Sequence, residues 1–181
     1  QGAHDSAVPE FEIGAQPVSW AQYAGFVEDG GYDEPRWWSA DGWQWLQANA
    51  RRTPRHVEQL RHGVLARRYG RLLRVPPALP VMHVSWHEAD AWCRWAGRRL
   101  PTEVEWELAA ASGASRGLRW GDVLEWTATT FRPYPGFEPG PWRDYSQPSF
   151  GRCKVQRGAS FATRARLRDV PRLGEKTFEQ A

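Results

Sequence analysis

The sequence predicts an α+β fold of short helices and short, mostly antiparallel strands. Three observations carry that expectation. Three separate capping boxes each lead into helical periodicity. Short strand-like strings are separated by proline- and glycine-rich chain. The composition is aromatic-rich and aliphatic-poor: 12 of 181 residues are tryptophan, whereas Leu, Val, Ile and Phe together number 32. That aliphatic share lies under the roughly 20% at which a highly charged chain is read as disordered. The net charge is only +3, and each buried aromatic hides roughly 150–250 Å². Tryptophan therefore supplies the core that aliphatic residues do not.

The elements follow in chain order. Ser19-Trp20-Ala21-Gln22 is a capping box, in which a hydroxyl accepts from the backbone three residues on and a Glu or Gln side chain reaches back. The helix it starts places Trp20, Tyr23, Ala24 and Val27 on one face and stops at Gly30-Gly31. Residues 33–45 read as a turn-rich aromatic stretch with one helical turn from Asp41. Thr53-Pro54 predicts the start of a short helix, with proline at its first position. Residues 64–75 predict a hairpin, 76–80 a linker, and 81–84 a short strand running into the next helix. That helix starts at Ser85-Trp86-His87-Glu88, places Ala89, Trp92, Cys93 and Ala96 on one face, and stops at Gly97. A third runs from Glu103 to about Ala111 behind Thr102-Glu103-Val104-Glu105 and ends at Ser112-Gly113. Four prolines make 132–147 a long loop, and the alternation of 154–168 reads as a strand.

Several function classes fall away. No stretch approaches the ~20 apolar residues of a membrane helix, and residues 1–20 carry no apolar signal core. A cytoplasmic location is the expectation. Two cysteines make neither a disulfide framework nor a zinc cluster. The base is almost wholly arginine, interleaved with 21 carboxylates, which reads as an ion-paired surface and against nucleic acid.

The search for chemistry is mostly negative. His83 and His87 are four apart, but the N-cap Ser85 between them puts them on different elements. There is no HExxH and no clustered Cys/His, so no metal ligand is assigned. Cys93 falls on an apolar helix face and reads as a small buried hydrophobe. Cys153 lies beside Arg152 and Lys154, which would activate an exposed thiol, but no histidine or aspartate is near in sequence. Arg164, Arg166 and Arg168 alternate and would share a strand face able to grip a carboxylate or phosphate, or to stack bases.

Three strings occur in one order: Val84-Ser85-Trp86 through Gly97-Arg98-Arg99-Leu100-Pro101-Thr102-Glu103-Val104-Glu105-Trp106-Glu107; Gly121-Asp122-Val123-Leu124-Glu125-Trp126-Thr127; and Val155-Gln156-Arg157-Gly158-Ala159-Ser160-Phe161. Together they resemble the signatures of the formylglycine-generating enzyme, or sulfatase-modifying factor, family, with Leu124 where that family has tryptophan. The resemblance runs from about residue 8 to 168 and implies that family's irregular α+β fold, related to the C-type lectin fold. Thr163 and Arg168 stand where copper-binding cysteines would be, which implies no copper.

Further strings, among them Phe26-Val27-Glu28-Asp29-Gly30-Gly31-Tyr32, Arg36-Trp37-Trp38-Ser39 and Tyr134-Pro135-Gly136-Phe137, resemble the C-terminal domain of ergothioneine-type sulfoxide synthases and their selenium counterpart, selenoneine synthase. That resemblance implies non-heme Fe(II), O₂-dependent joining of sulfur or selenium to the imidazole of trimethylhistidine, with a thiol or selenosugar as donor. It places the iron ligands in an N-terminal DinB-like helical domain outside these residues, so that 1–181 form one domain, incomplete at both ends and inactive alone. Tyr134 matches an active-site tyrosine; Trp126, Arg157 and Arg164 match substrate-pocket lining, where an aromatic face suits a quaternary ammonium and an arginine suits a carboxylate. The alternative is a catalytically silent ligand-binding module on the same scaffold. After Arg168 the sequence departs from the family's pattern.

Overall fold

The structure, a computed structural model, describes residues 7–133, 149–160 and 178–180. The chain divides into two compact units, one of Pro17–Leu100 and one of Gln1–Gln16 with Pro101–Ala181.

In the unit of residues 17–100, three helices accompany a small antiparallel sheet. Helix α1 (Trp20–Glu28) starts at Ser19 with both halves of its capping box formed. Helix α2 is Ala40–Asn49. Helix α3 (Trp86–Trp95) also has a complete box, Ser85 accepting from the Glu88 N–H and the Glu88 carboxylate accepting from the Ser85 N–H at 2.7 Å. Strands β1 (Val57–Gln59), β2 (Val64–Arg68) and β3 (Arg71–Val75) form a sheet in the order β1-β2-β3. The core is a run of aromatic contacts: Trp20 to Tyr23 at 6.3 Å, Tyr23 to Phe26 at 5.5 Å, Phe26 to Tyr32 at 6.0 Å and Tyr32 to Trp38 at 5.8 Å between ring centroids. Edge-to-face and tilted pairs of this kind add to plain area burial. The phenol ends of the rings are satisfied inside the core, whereas the Trp20 Nε1 is buried without a hydrogen-bond partner among the described residues. Tyr32 donates to the Glu88 carboxylate at 2.6 Å and shares a 2.9 Å hydrogen bond with Tyr23. Burial raises both phenols well above their ordinary value and raises the Glu88 carboxyl too.

In the other unit, α4 (Glu103–Ser112) starts at Thr102 with a full capping box. It packs on β4 (Leu124–Thr130) and β5 (Cys153–Gly158), which pair antiparallel, with β6 (Phe178–Gln180) on the far side of β5. The sheet and helix bury Trp106, Trp126, Phe131, Cys153, Val155 and Ala159. The N-terminal segment joins this unit where the Arg119 N–H donates to the Ala15 carbonyl at 2.8 Å.

The three capped helices stand where the sequence puts them, and 64–75 is a hairpin with all five register pairs in place. Four local expectations need correction. Residues 40–49 form a ten-residue helix rather than one turn; Ser39 caps it by accepting from the Gly42 N–H at 3.0 Å, without a Glu or Gln to complete a box. No helix follows Thr53-Pro54; there the Thr53 hydroxyl donates to the Val57 carbonyl at 2.8 Å and the chain turns into β1. Residues 81–84 are not a strand: an isolated bridge joins Ser19 to Pro80, and His83 takes a left-handed φ of 67° that ends extension. Of the strand expected over 154–168, residues 161–168 lie outside the described residues, and β5 ends at Gly158, where φ is +106°. A Cβ there would lie 3.2 Å from the Val123 carbonyl oxygen and 3.5 Å from the Trp106 ring, so the position demands glycine twice over. The 132–147 loop falls largely outside the described residues.

Candidate functional site

The family-like strings of residues 101–160 meet in one place. Helix α4 contributes Glu103, Trp106 and Glu107; β4 contributes Glu125 and Trp126; β5 contributes Arg157. The antiparallel register sets Glu125 directly opposite Arg157, and Trp126 opposite Gln156. Opposed residues point to the same face of a sheet, so the Glu125 and Arg157 side chains rise together toward α4. Glu103 and Glu107 are one helical turn apart and present both carboxylates to that face.

The Arg157 side chain is 3% exposed, and its Nη2 pairs with Glu103 at 2.5 Å and with Glu107. A guanidinium so deeply buried is tolerable only with such partners. Burial pushes the Glu125 carboxyl from its usual 4.5 up to about 7, offset in part by a hydrogen bond from the Trp106 side chain. Glu125 Oε1 and Arg157 Nε are both buried without a hydrogen-bond partner among the described residues. The arrangement is a charge cluster that ties α4 to the sheet, with one carboxyl able to hold a proton near neutral pH. Trp106 stacks edge-on against Trp120 at 5.5 Å, closing one flank.

Of the four residues assigned from the sequence, Arg157 lies in this cluster as the hub of the ion pairs. Trp126, the strand neighbour of Glu125 and opposite Gln156, is buried at 7% exposure on the other face of the sheet. Tyr134 and Arg164 lie outside the described residues, as do Arg166, Arg168 and Thr163. Sequence reasoning did not single out Glu103, Glu107 or Glu125. The i, i+4 spacing of the first two was visible, but the partner that gives them meaning comes from the register of β4 against β5.

The residues do not fit a metal centre by themselves. Among the described residues no group of three or more His, Cys, Asp or Glu side chains is arranged to hold a metal ion. The His56 and His83 rings meet edge to face at 5.2 Å, and His87 packs between Trp45 and Trp86 at 5.4 and 5.5 Å. The acidic cluster is centred on a guanidinium, which supplies the positive charge a cation would bring. Both cysteines are buried, and burial with Asp90 nearby pushes the Cys93 thiol up to about 12, leaving it unreactive. No helix among the described residues is long and apolar enough to cross a membrane.

This short-element α+β architecture, with its three signature strings gathered around one buried arginine, is that of a known class. Residues 1–121 match the sulfatase-modifying factor enzyme 1-like domain, and the chain belongs to that family. Over 88% of its length it is similar to hercynine oxygenases, at 38% identity to that of Mycobacterium tuberculosis and 36% to that of Mycolicibacterium smegmatis, covering 47% and 48% of those proteins. The chain thus spans about half the length of the curated relatives it matches. A shorter stretch, 26% of the chain and 16% of the relative, is 61% identical to the formylglycine-generating enzyme of Streptomyces coelicolor.

Proposed function

We propose that this domain forms the organic-substrate side of an iron- and O₂-dependent synthase that joins sulfur or selenium to the imidazole of trimethylhistidine. The observation that supports it is the similarity to hercynine oxygenases over nearly the whole chain, hercynine being the trimethyl betaine of histidine. Within this reading the Fe(II) is held by residues outside the domain, in a partner helical region, and supplies the binding of O₂ and of the sulfur or selenium donor. The chain's own residues bind and orient. Trp126, on the sheet face opposite the charge cluster, is the aromatic ring assigned to attract the quaternary ammonium. Arg164 supplies a fork for the betaine carboxylate, and Tyr134 is the hydroxyl that meets the reacting end of the substrate. Arg157, engaged by Glu103 and Glu107, ties β5 to α4. A titration of trimethylhistidine into the chain and into Arg164→Ala tests this assignment. Loss of about tenfold or more in affinity is expected for one charge-assisted carboxylate contact; unchanged affinity contradicts the role given to Arg164.

A second reading, a catalytically silent binding module, has one observation in its favour. Over 30% of the chain the similarity extends, at 53% identity, to a mouse protein named inactive C-alpha-formylglycine-generating enzyme 2. Under that reading trimethylhistidine need not bind.

A further inference from the structure

The chain's positive charge is not evenly spread. Residues 60–75 hold five arginines (61, 67, 68, 71 and 74) and no carboxylate, whereas the whole chain nets +3, so the remainder nets −2. This run is the β2–β3 hairpin and its approach. Arg67 pairs with Glu58 at 3.0 Å; for the other four arginines no ion pair is found among the described residues. All five are exposed.

The same hairpin exposes apolar side chains. Tyr69 at its tip is 97% exposed, and Leu72 and Leu73 are exposed on β3. Strand β3 is the terminal strand of the order β1-β2-β3, so its outer edge has no strand partner among the described residues. Arginines on an edge discourage unwanted pairing, but a strand kept only for that purpose would not also expose two leucines. Strand alternation gives each face of β3 the same pair: Arg71 with Leu73 on one, Leu72 with Arg74 on the other. At the base of the hairpin, toward β2, lies a groove of about 500 Å³ lined by His62 and Val64, by Arg74 and Val75, and by Ala21 and Glu28 of α1. Gly63 lets Arg74 lie into this groove, because a Cβ at Gly63 would meet the guanidinium.

We propose that the outer edge of β3 forms a docking surface for an acidic, extended polypeptide segment that adds to the sheet as a fourth strand. Backbone pairing along the edge supplies affinity, and carboxylates opposite Arg71 and Arg74 set register, with apolar residues between them against Leu72 and Leu73. A polypeptide fits better than a nucleic acid because the surface offers an open hydrogen-bonding ladder and alternating leucines, with a single aromatic ring available for stacking.

The test uses the acetylated, amidated hexapeptide TEVVET, labelled for anisotropy, against the intact chain, with TKVVKT and a single-stranded hexanucleotide as comparisons. The expected result is binding of the acidic peptide alone, with new hydrogen-exchange protection confined to residues 71–75. Affinity should fall at least about tenfold in the doubly charge-reversed Arg71→Glu, Arg74→Glu chain, and should weaken as salt rises from about 50 to about 300 mM. Both sites are exposed, and an unchanged melting temperature of the variant confirms that the loss is in binding. Equal binding of TKVVKT, protection elsewhere, indifference to the charge reversal, or no peptide binding overturns the proposal. Binding of the oligonucleotide in place of the peptide overturns it in favour of a nucleic-acid surface.

Discussion

At the scale of single residues, Glu125 and Arg157 make opposite demands on the fold. Glu125 has its carboxyl raised from 4.5 to about 7 by burial, so the folded state prefers it protonated. A carboxyl raised on folding contributes stability that is fully present below its unfolded value and lost as pH rises through its folded one. Stability should therefore fall between about pH 4.5 and pH 7 by roughly 3 kcal/mol on account of this group, at about 1.4 kcal/mol per unit. Glu125→Gln should remove that share of the slope, as read from urea midpoints at several pH values; an unaltered slope would show that Glu125 does not hold its proton. Removing the Arg157 guanidinium leaves Glu103 and Glu107 without the partner that both engage. Arg157→Met should cost about 3–5 kcal/mol, the usual result of breaking a buried pair from one side. A loss under about 1 kcal/mol in denaturant unfolding would mean that the pairs are solvent-screened. None of this was legible residue by residue. Glu125 reads in the sequence only as the neighbour of Trp126, and the register alone sets it opposite Arg157.

At the scale of elements, what the sequence disclosed is what depends on neighbours in the chain. The boxes at Ser19, Ser85 and Thr102 are local hydrogen-bonding devices, and all three form. Helix α2 escaped because Ser39 caps it without a box and because its aromatic density hides the Gly42–Leu46 spacing that faces inward. The strands β1, β4 and β6 carry weak alternation and are made by pairing at a distance. His83, at φ 67°, turns a strand-like string into a bend that no propensity foretells. Thr102 has a further use: it fixes the first turn of α4, from which Glu103 reaches Arg157. Thr102→Ala should cost about 1 kcal/mol, the ordinary value of an N-cap hydroxyl. A shift in the urea midpoint without change of slope checks it, and a neutral substitution would mean that Glu105 alone secures the cap.

At the scale of the whole molecule, the opening shortage of aliphatic residues is resolved by aromatic packing. Trp20, Tyr23, Phe26, Tyr32 and Trp38 form one continuous set of ring contacts, and Trp106 with Trp126 serves the other unit. Family membership was legible because its signature strings are continuous in sequence and hold this scaffold together. The candidate site was legible only in part: Arg157 is the hub of the charge cluster and Trp126 lies on the opposite sheet face, whereas Tyr134 and Arg164 lie outside the described residues. The charge cluster explains why the strings stay together physically: the first supplies Glu103 and Glu107, the second Glu125 and the third Arg157. What the domain recognises is a separate matter, and the measurement that tests it most directly is calorimetry of the unmodified chain with trimethylhistidine and with histidine. Saturable binding of trimethylhistidine is expected, at least about tenfold tighter than that of histidine, the difference for a desolvated ammonium on an aromatic face. Equal affinities, or no heat from trimethylhistidine at millimolar concentration, would contradict it.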